Sequence, residues 1–131
     1  MINDFAIQFQ ELEKTLASKK GDFELFALFL REGSPDKWDL ILAAPWIKQE
    51  ESADLREIAQ KIQTTLSKED LLKLSRIILI DKKTPMLSTL NRSVDIAHGI
   101  VEVKDSNFFG LPIKHAYIFT SQKINKDKLK N

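Results

Sequence analysis

Residues Phe23–Trp46 read FELFALFLRE, then GSPDK, then WDLILAAPW. Two apolar runs rich in aromatic and branched side chains flank a Gly-Ser-Pro-Asp cluster, the pattern of a β-hairpin closed by a longer loop. Neither run alternates apolar with polar. In the first, strand periodicity sends Phe23, Leu25, Ala27 and Phe29 one way and Phe26, Leu28 and Leu30 the other. In the second, Trp38, Leu40, Leu42, Ala44 and Trp46 share a face, and Asp39, Ile41, Ala43 and Pro45 share its reverse. Strands that are apolar on both sides need cover on both sides. Either helices supply it on each face, or helices supply one and a partner chain the other.

Outward from the hairpin, the flanking segments read mostly as helices. Residues 3–20 carry Phe5, Phe9, Leu12 and Leu16 at helical spacing, with Asn3 or Asp4 as cap and Lys19-Lys20-Gly21 as a cationic stop. A second helix is expected over Ser52–Leu66, with Leu55, Ile58, Ala59, Ile62 and Leu66 inward and Glu50 and Glu51 near its start. Ser67-Lys68-Glu69-Asp70 resembles a capping box opening a short helix. Arg76–Ile80 (RIILI) reads as a short buried strand. Thr84-Pro85 then starts a helix with Met86, Leu90 and Val94 as its stripe. In IVEVKDSNFFGLPIKHAYIF the spacing predicts a second hairpin turning at Asp105-Ser106-Asn107, with Leu111, Ile113, His115, Tyr117 and Phe119 on one face. The order α-β-β-α-α-β-α-β-β predicts an α+β domain over residues 1–120, with a mostly antiparallel sheet of about five strands and a lysine-rich tail over 121–131.

Composition excludes several classes. The apolar fraction is 43% and the charged fraction 30%, ordinary for a globular chain and too apolar for a disordered one. A formal net charge of +1 gives no bulk support for nucleic-acid or membrane binding. With no cysteine there is no disulfide framework, thiolate metal site or thiol nucleophile. The amino-terminal MINDFAIQFQELEK is acidic and amphipathic rather than a secretory leader, and no apolar run spans a bilayer, so the expected setting is soluble and cytoplasmic.

Few polar residues stand out. Glu102 and Lys104, two apart on a strand, would project from one face. Glu102-Val103-Lys104 resembles, over those three residues, the acid-x-lysine element of the restriction-endonuclease-like nucleases. That resemblance implies a divalent metal completed by an upstream acid, for which Asp39, Asp36 and Asp81 are available. Asp81, after RIILI, would line a crevice if its strand ran parallel to a neighbour. His115 is expected to point inward as a hydrogen-bonded core residue, while His98 shares the outer face with Glu102. Phe108 and Phe109, adjacent at a hairpin tip, cannot both enter the same core, and Trp46 beside Pro45 sits near a sheet edge. Phe108, Phe109, Trp46 and His98 are therefore the binding candidates.

No glycine-rich phosphate loop or nucleophile elbow is present. The favoured expectation is thus a non-enzymatic protein with no cofactor, acting through a protein partner or homo-oligomer on an uncovered sheet face. A metal-dependent phosphoryl-transfer enzyme using Glu102, Lys104 and an upstream aspartate is the alternative. A nucleic-acid accessory domain using the basic tail and aromatic tip is the third.

Overall fold

Asn3 accepts the Ala6 amide on Oδ1 at 2.9 Å and so starts helix α1 (Asp4–Lys20). The helix stops at Gly21, whose amide reaches the Ala17 carbonyl. The computed structural model describes residues 3–33, 36–47, 53–81 and 83–124. After α1 come β1 (Leu25–Arg31), β2 (Trp38–Ala43), α2 (Ala53–Thr65), α3 (Lys68–Leu71), β3 (Leu74–Leu79), α4 (Pro85–Ser93), β4 (Val101–Phe108) and β5 (Leu111–Ser121). The protein is α+β, with the element order that the sequence predicts.

The five strands form one sheet in the order β3-β2-β1-β5-β4. β1 lies at its centre, antiparallel to β2 and β5, and β4 pairs antiparallel with β5. β3 is parallel to β2, because the chain crosses over through α2 and α3. The sheet is therefore mixed. The hydrophobic character of β1 and β2 now has its reason: both are interior strands, buried on each face.

Two separate cores result. On one face, α1 and α2 lay Phe5, Phe9, Leu16, Ile58 and Ile62 over Phe26, Leu28, Leu40, Leu42 and Tyr117. On the other, α4 lays Leu87 and Leu90 over Leu25, Ala27, Ile41, Ala43 and Ile118. Internal helices therefore supply cover on both sides, but unequally. Five strands span roughly 19 Å across at the usual strand spacing. A helix covers roughly 10 Å, so two helices suffice on the first face and one does not on the second. The shortfall is made up by the tip of the second hairpin.

That hairpin differs from its expected form. β4 continues through Asp105, Ser106 and Asn107 to Phe108, and the turn falls at Phe109-Gly110, with φ of 53° and 76°. Two successive positive φ values are the mark of the tight hairpin turn whose twist matches its strands. Asp105, at φ 50°, instead marks an irregularity inside the ladder, opposite Lys114. Against β1 the pairing likewise jumps from Leu30–His115 to Arg31–Ile113, skipping Lys114. This resets the side-chain alternation. Ile113 joins the α4 side, whereas His115, Tyr117 and Phe119 stay with the residues facing α1, and the expected common face does not form.

Smaller departures have similar causes. Phe23 packs on the α1 side with Phe26, at 4.9 Å, because it precedes the strand and is free of its alternation. The RIILI segment is an edge strand and only half-buried. In α4 the inward residues are Leu87, Leu90 and Asn91, while Met86 is exposed, a rotation from the expected stripe. Ser121 belongs to β5 rather than to a tail, and Gln122 donates to the Phe23 carbonyl. Glu50, Glu51 and residues 125–131 lie outside the described residues.

Candidate functional site

The sharpest polar constellation begins inside α1. Glu13 stands one turn from Phe9 and from Leu16 and Ala17, which puts its carboxyl group on the buried face of the helix with no solvent exposure. It is held there by two donors. His98 Nδ1 lies 2.8 and 3.1 Å from the two Glu13 oxygens, and Thr120 Oγ donates to Oε2 at 2.8 Å. Thr120 Oγ in turn accepts the His98 backbone amide at 3.1 Å. His98 adopts φ 56°, a left-handed conformation that turns both its amide and its ring toward this cluster. Nε2 faces a recess lined by Lys14, Ser18 and Asp22, with Asp22 Oδ1 at 3.8 Å. A carboxylate that fixes one imidazole nitrogen and leaves the other toward an opening is the arrangement of a general acid–base group.

A second carboxylate–histidine pair occupies the β4–β5 ladder. Because Glu102 pairs with Tyr117 and Lys104 with His115, all four share the α1 face of the sheet. Glu102 Oε2 and His115 Nε2 are 2.6 Å apart. The expectation had Glu102 and His115 on opposite faces; the turn at Phe109-Gly110 sets a register that pairs Glu102 with Tyr117 and Lys104 with His115, and so reverses it. The hydrogen bond from His115 first, and then the nearby Lys104 charge, hold the Glu102 carboxyl below the ordinary carboxylate range. Burial, and secondarily the Glu102 charge, push the Tyr117 hydroxyl up. The His115 ring sits against Tyr117 at 4.7 Å and Trp38 at 5.4 Å.

The upstream acids do not join Glu102 and Lys104. Asp39 pairs across from Phe29 and Arg76, on the α4 side of the sheet. Its buried carboxylate is taken by Arg31 Nε at 3.0 Å and by Arg76 at 3.1 Å. Asp36 occupies the first hairpin's turn at φ 59°. Asp81 does follow a parallel strand, but it lies beyond the opposite edge of the sheet and accepts the Lys83 amide at 2.9 Å. Among the described residues, no three His, Asp or Glu side chains are grouped so as to hold a metal ion.

The aromatic candidates serve the fold. Trp46 Nε1 donates to the Gly21 and Asp22 carbonyls at 2.9 and 3.2 Å, and its ring meets Phe23 edge-on. Phe108 stacks on Phe29 at 4.9 Å, and Phe109 approaches the same ring at 6.4 Å. Both phenylalanines thus fold back onto one core, because the left-handed backbone at Phe109 returns its side chain to the side of Phe108. Between this tip and α4 remains a cavity of about 370 Å³.

The sheet's two edges differ sharply. β4 carries Glu102, Lys104 and Asp105 along its exposed length, the charge guard that keeps an edge from pairing. β3 has Leu74, Ile77 and Leu79 half-covered on the α1 side and Ile78 on the other, with Ile80 following it. Its lone charge, Arg76, is drawn onto Asp39. Leu72, just before the strand, is 70% exposed.

No family model, curated protein or solved structure matches this chain. Its class is defined by architecture alone: an α+β protein on a mixed five-stranded sheet with one guarded and one open edge. No described helix is long and apolar enough to cross a membrane. Glu13 escaped the sequence reading, although its spacing from Phe9 and Leu16 already put a carboxylate on the apolar stripe.

Proposed function

We propose that the protein acts by association, and that its contact surface is the open β3 edge, with a second copy of the same chain as partner. The observation that carries this reading is the contrast between the edges: β3 presents Leu74, Ile77 and Leu79 on one face and Ile78 on the other, with its one charge, Arg76, paired to Asp39, whereas β4 is guarded. Unpaired, unguarded strands are templates for a further strand. The incoming strand must itself be largely apolar, and β3, with four apolar residues of six, meets that requirement, so an antiparallel pair about a two-fold axis is self-complementary. Leu72 would be covered at the margin. This replaces an uncovered sheet face, now occupied by helices, with an uncovered sheet edge.

Sedimentation and light scattering from low micromolar to near-millimolar concentration test it. The expected result is a dimer, reduced to monomer in the Leu72→Lys, Ile77→Lys double variant with its melting transition retained. If the double variant fails to fold, Leu72→Lys alone, at an exposed position, is expected to weaken the dimer several-fold. A wild-type chain that stays monomeric throughout, or a dimer indifferent to Leu72→Lys, overturns the proposal.

A further inference from the structure

The cavity beside α4 follows from the unequal cover of the sheet. A single nine-residue helix, about 13 Å long, closes this face over β1 and β2 but leaves the β4–β5 side to the hairpin tip. Between helix and tip, Met86, Leu90, Val94, Val103, Phe108 and Phe109 line a half-open cleft of about 370 Å³. That lies within the range of small-molecule sites, which are mostly apolar with a few placed polar groups. Thr89 and Ser93 on α4 and Ser106 and Asn107 on β4 supply those groups. None of the ten lining residues is ionisable, so an ionic ligand would lose its hydration without gaining a counter-charge. The walls are set by packing elsewhere: Phe108 is stacked on Phe29, and Leu90 belongs to the core under α4. The exposed Met86, on the rim, is flexible enough to fit against molecules of different outline.

We infer that this cavity is a binding site for a small uncharged molecule, an aromatic or branched apolar body carrying at most a hydroxyl or carbonyl. The apolar body would lie against Val103, Phe108 and Phe109, with its polar atom at the hydroxyl and amide groups of Ser93, Ser106 and Asn107. The cleft is half-open and holds about 370 Å³, the size of a small molecule rather than of a strand or helix. This site is independent of the β3 edge, which closes the opposite end of the sheet.

The test uses the neutral fluorophore N-phenyl-1-naphthylamine and its anionic relative 1-anilinonaphthalene-8-sulfonate, titrated against the full chain. The neutral probe is expected to saturate at one per chain and to bind at least tenfold more tightly than the anion. Thr89→Trp and Ser93→Trp each place an indole in the hollow and are expected to weaken neutral-probe binding at least tenfold. Ser18→Trp, on the opposite side of the sheet, is expected to leave it unchanged. Melting curves confirm that each variant is folded. No saturable binding, equal affinity for the anion, or neutral-probe binding that survives both filling substitutions overturns the inference.

Discussion

Glu13 is a carboxylate with no solvent exposure. A carboxylate removed from water is destabilising by several kcal/mol unless its partners are well placed. Here they are His98 and Thr120, both brought from the far end of the chain. His98→Asn keeps a side chain that tolerates the left-handed backbone while removing the imidazole. In the wild-type background this substitution is expected to cost about 3 kcal/mol. In a Glu13→Gln background, where no carboxylate is left behind, it is expected to cost about 1 kcal/mol. Urea denaturation of the four proteins in the cycle measures the difference. Equal costs in both backgrounds would mean that the pair is not coupled. The signal for Glu13 was present in the helical spacing. That for its partners was not, since the two side chains that satisfy it lie 85 and 107 positions away.

At the scale of elements, the junction of α1 and β1 sets how the first helix lies on the sheet. Gly21 sits at φ 129° and ψ 164°, where only glycine is comfortable. A Cβ there would stand 3.0 Å from Trp46 Cδ1, and the Trp46 indole donates to the Gly21 carbonyl. Gly21→Ala is therefore expected to lower stability by about 2 kcal/mol, through backbone strain and displacement of the indole. Its fluorescent signature is a red-shifted Trp46 emission in the folded state, read against a Trp38→Phe background. An unshifted spectrum with unchanged denaturation would contradict the reading. The glycine stop was legible from the Lys-Lys-Gly sequence, whereas its second role under an indole 25 residues on was not. The second hairpin shows the converse. Asp-Ser-Asn looked like its turn, yet Asp105 took the left-handed conformation within the strand and left Phe109-Gly110 to reverse the chain.

Across the whole molecule, several carboxylates gain cationic or hydrogen-bond donors on folding. Glu57 lies below its ordinary range through Lys20 and Lys19, Asp70 through Gln8 and then Lys73, and Glu102 through His115 and then Lys104. A carboxylate with a depressed folded-state value stabilises fully above its unfolded value, and the contribution is lost as pH falls through the folded one. Stability is therefore expected to decline from just above the ordinary carboxylate range downward. Glu57→Gln and Glu102→Gln together should flatten that decline. Urea midpoints measured from neutral to strongly acidic pH, with and without salt, check this. A wild-type acid limb as shallow as the double variant's would remove these groups as its source. Because these pairs are partly open to solvent, salt is expected to shrink their share.

Local pattern determined much of this protein. Helical spacing placed α1 and α2, and doubly apolar runs marked β1 and β2 as strands needing two covered faces. Two hairpins and their order set the α+β class. These are consequences of side-chain periodicity and turn chemistry, which act over a few neighbouring residues. Tertiary structure alone decided that β3 would run parallel at an edge, that Glu102 would face His115, and that Asp39 would be held by two arginines on the other side. Each depends on register and strand order. The turn at Phe109-Gly110 sets which β4 side chains meet which on β5, and two irregularities, at Lys114 and Phe119, shift β5 against β1, at no visible cost in the local sequence. The cavity beside α4 was equally hidden, because it is the difference between the width of a five-stranded sheet and the one helix that covers it.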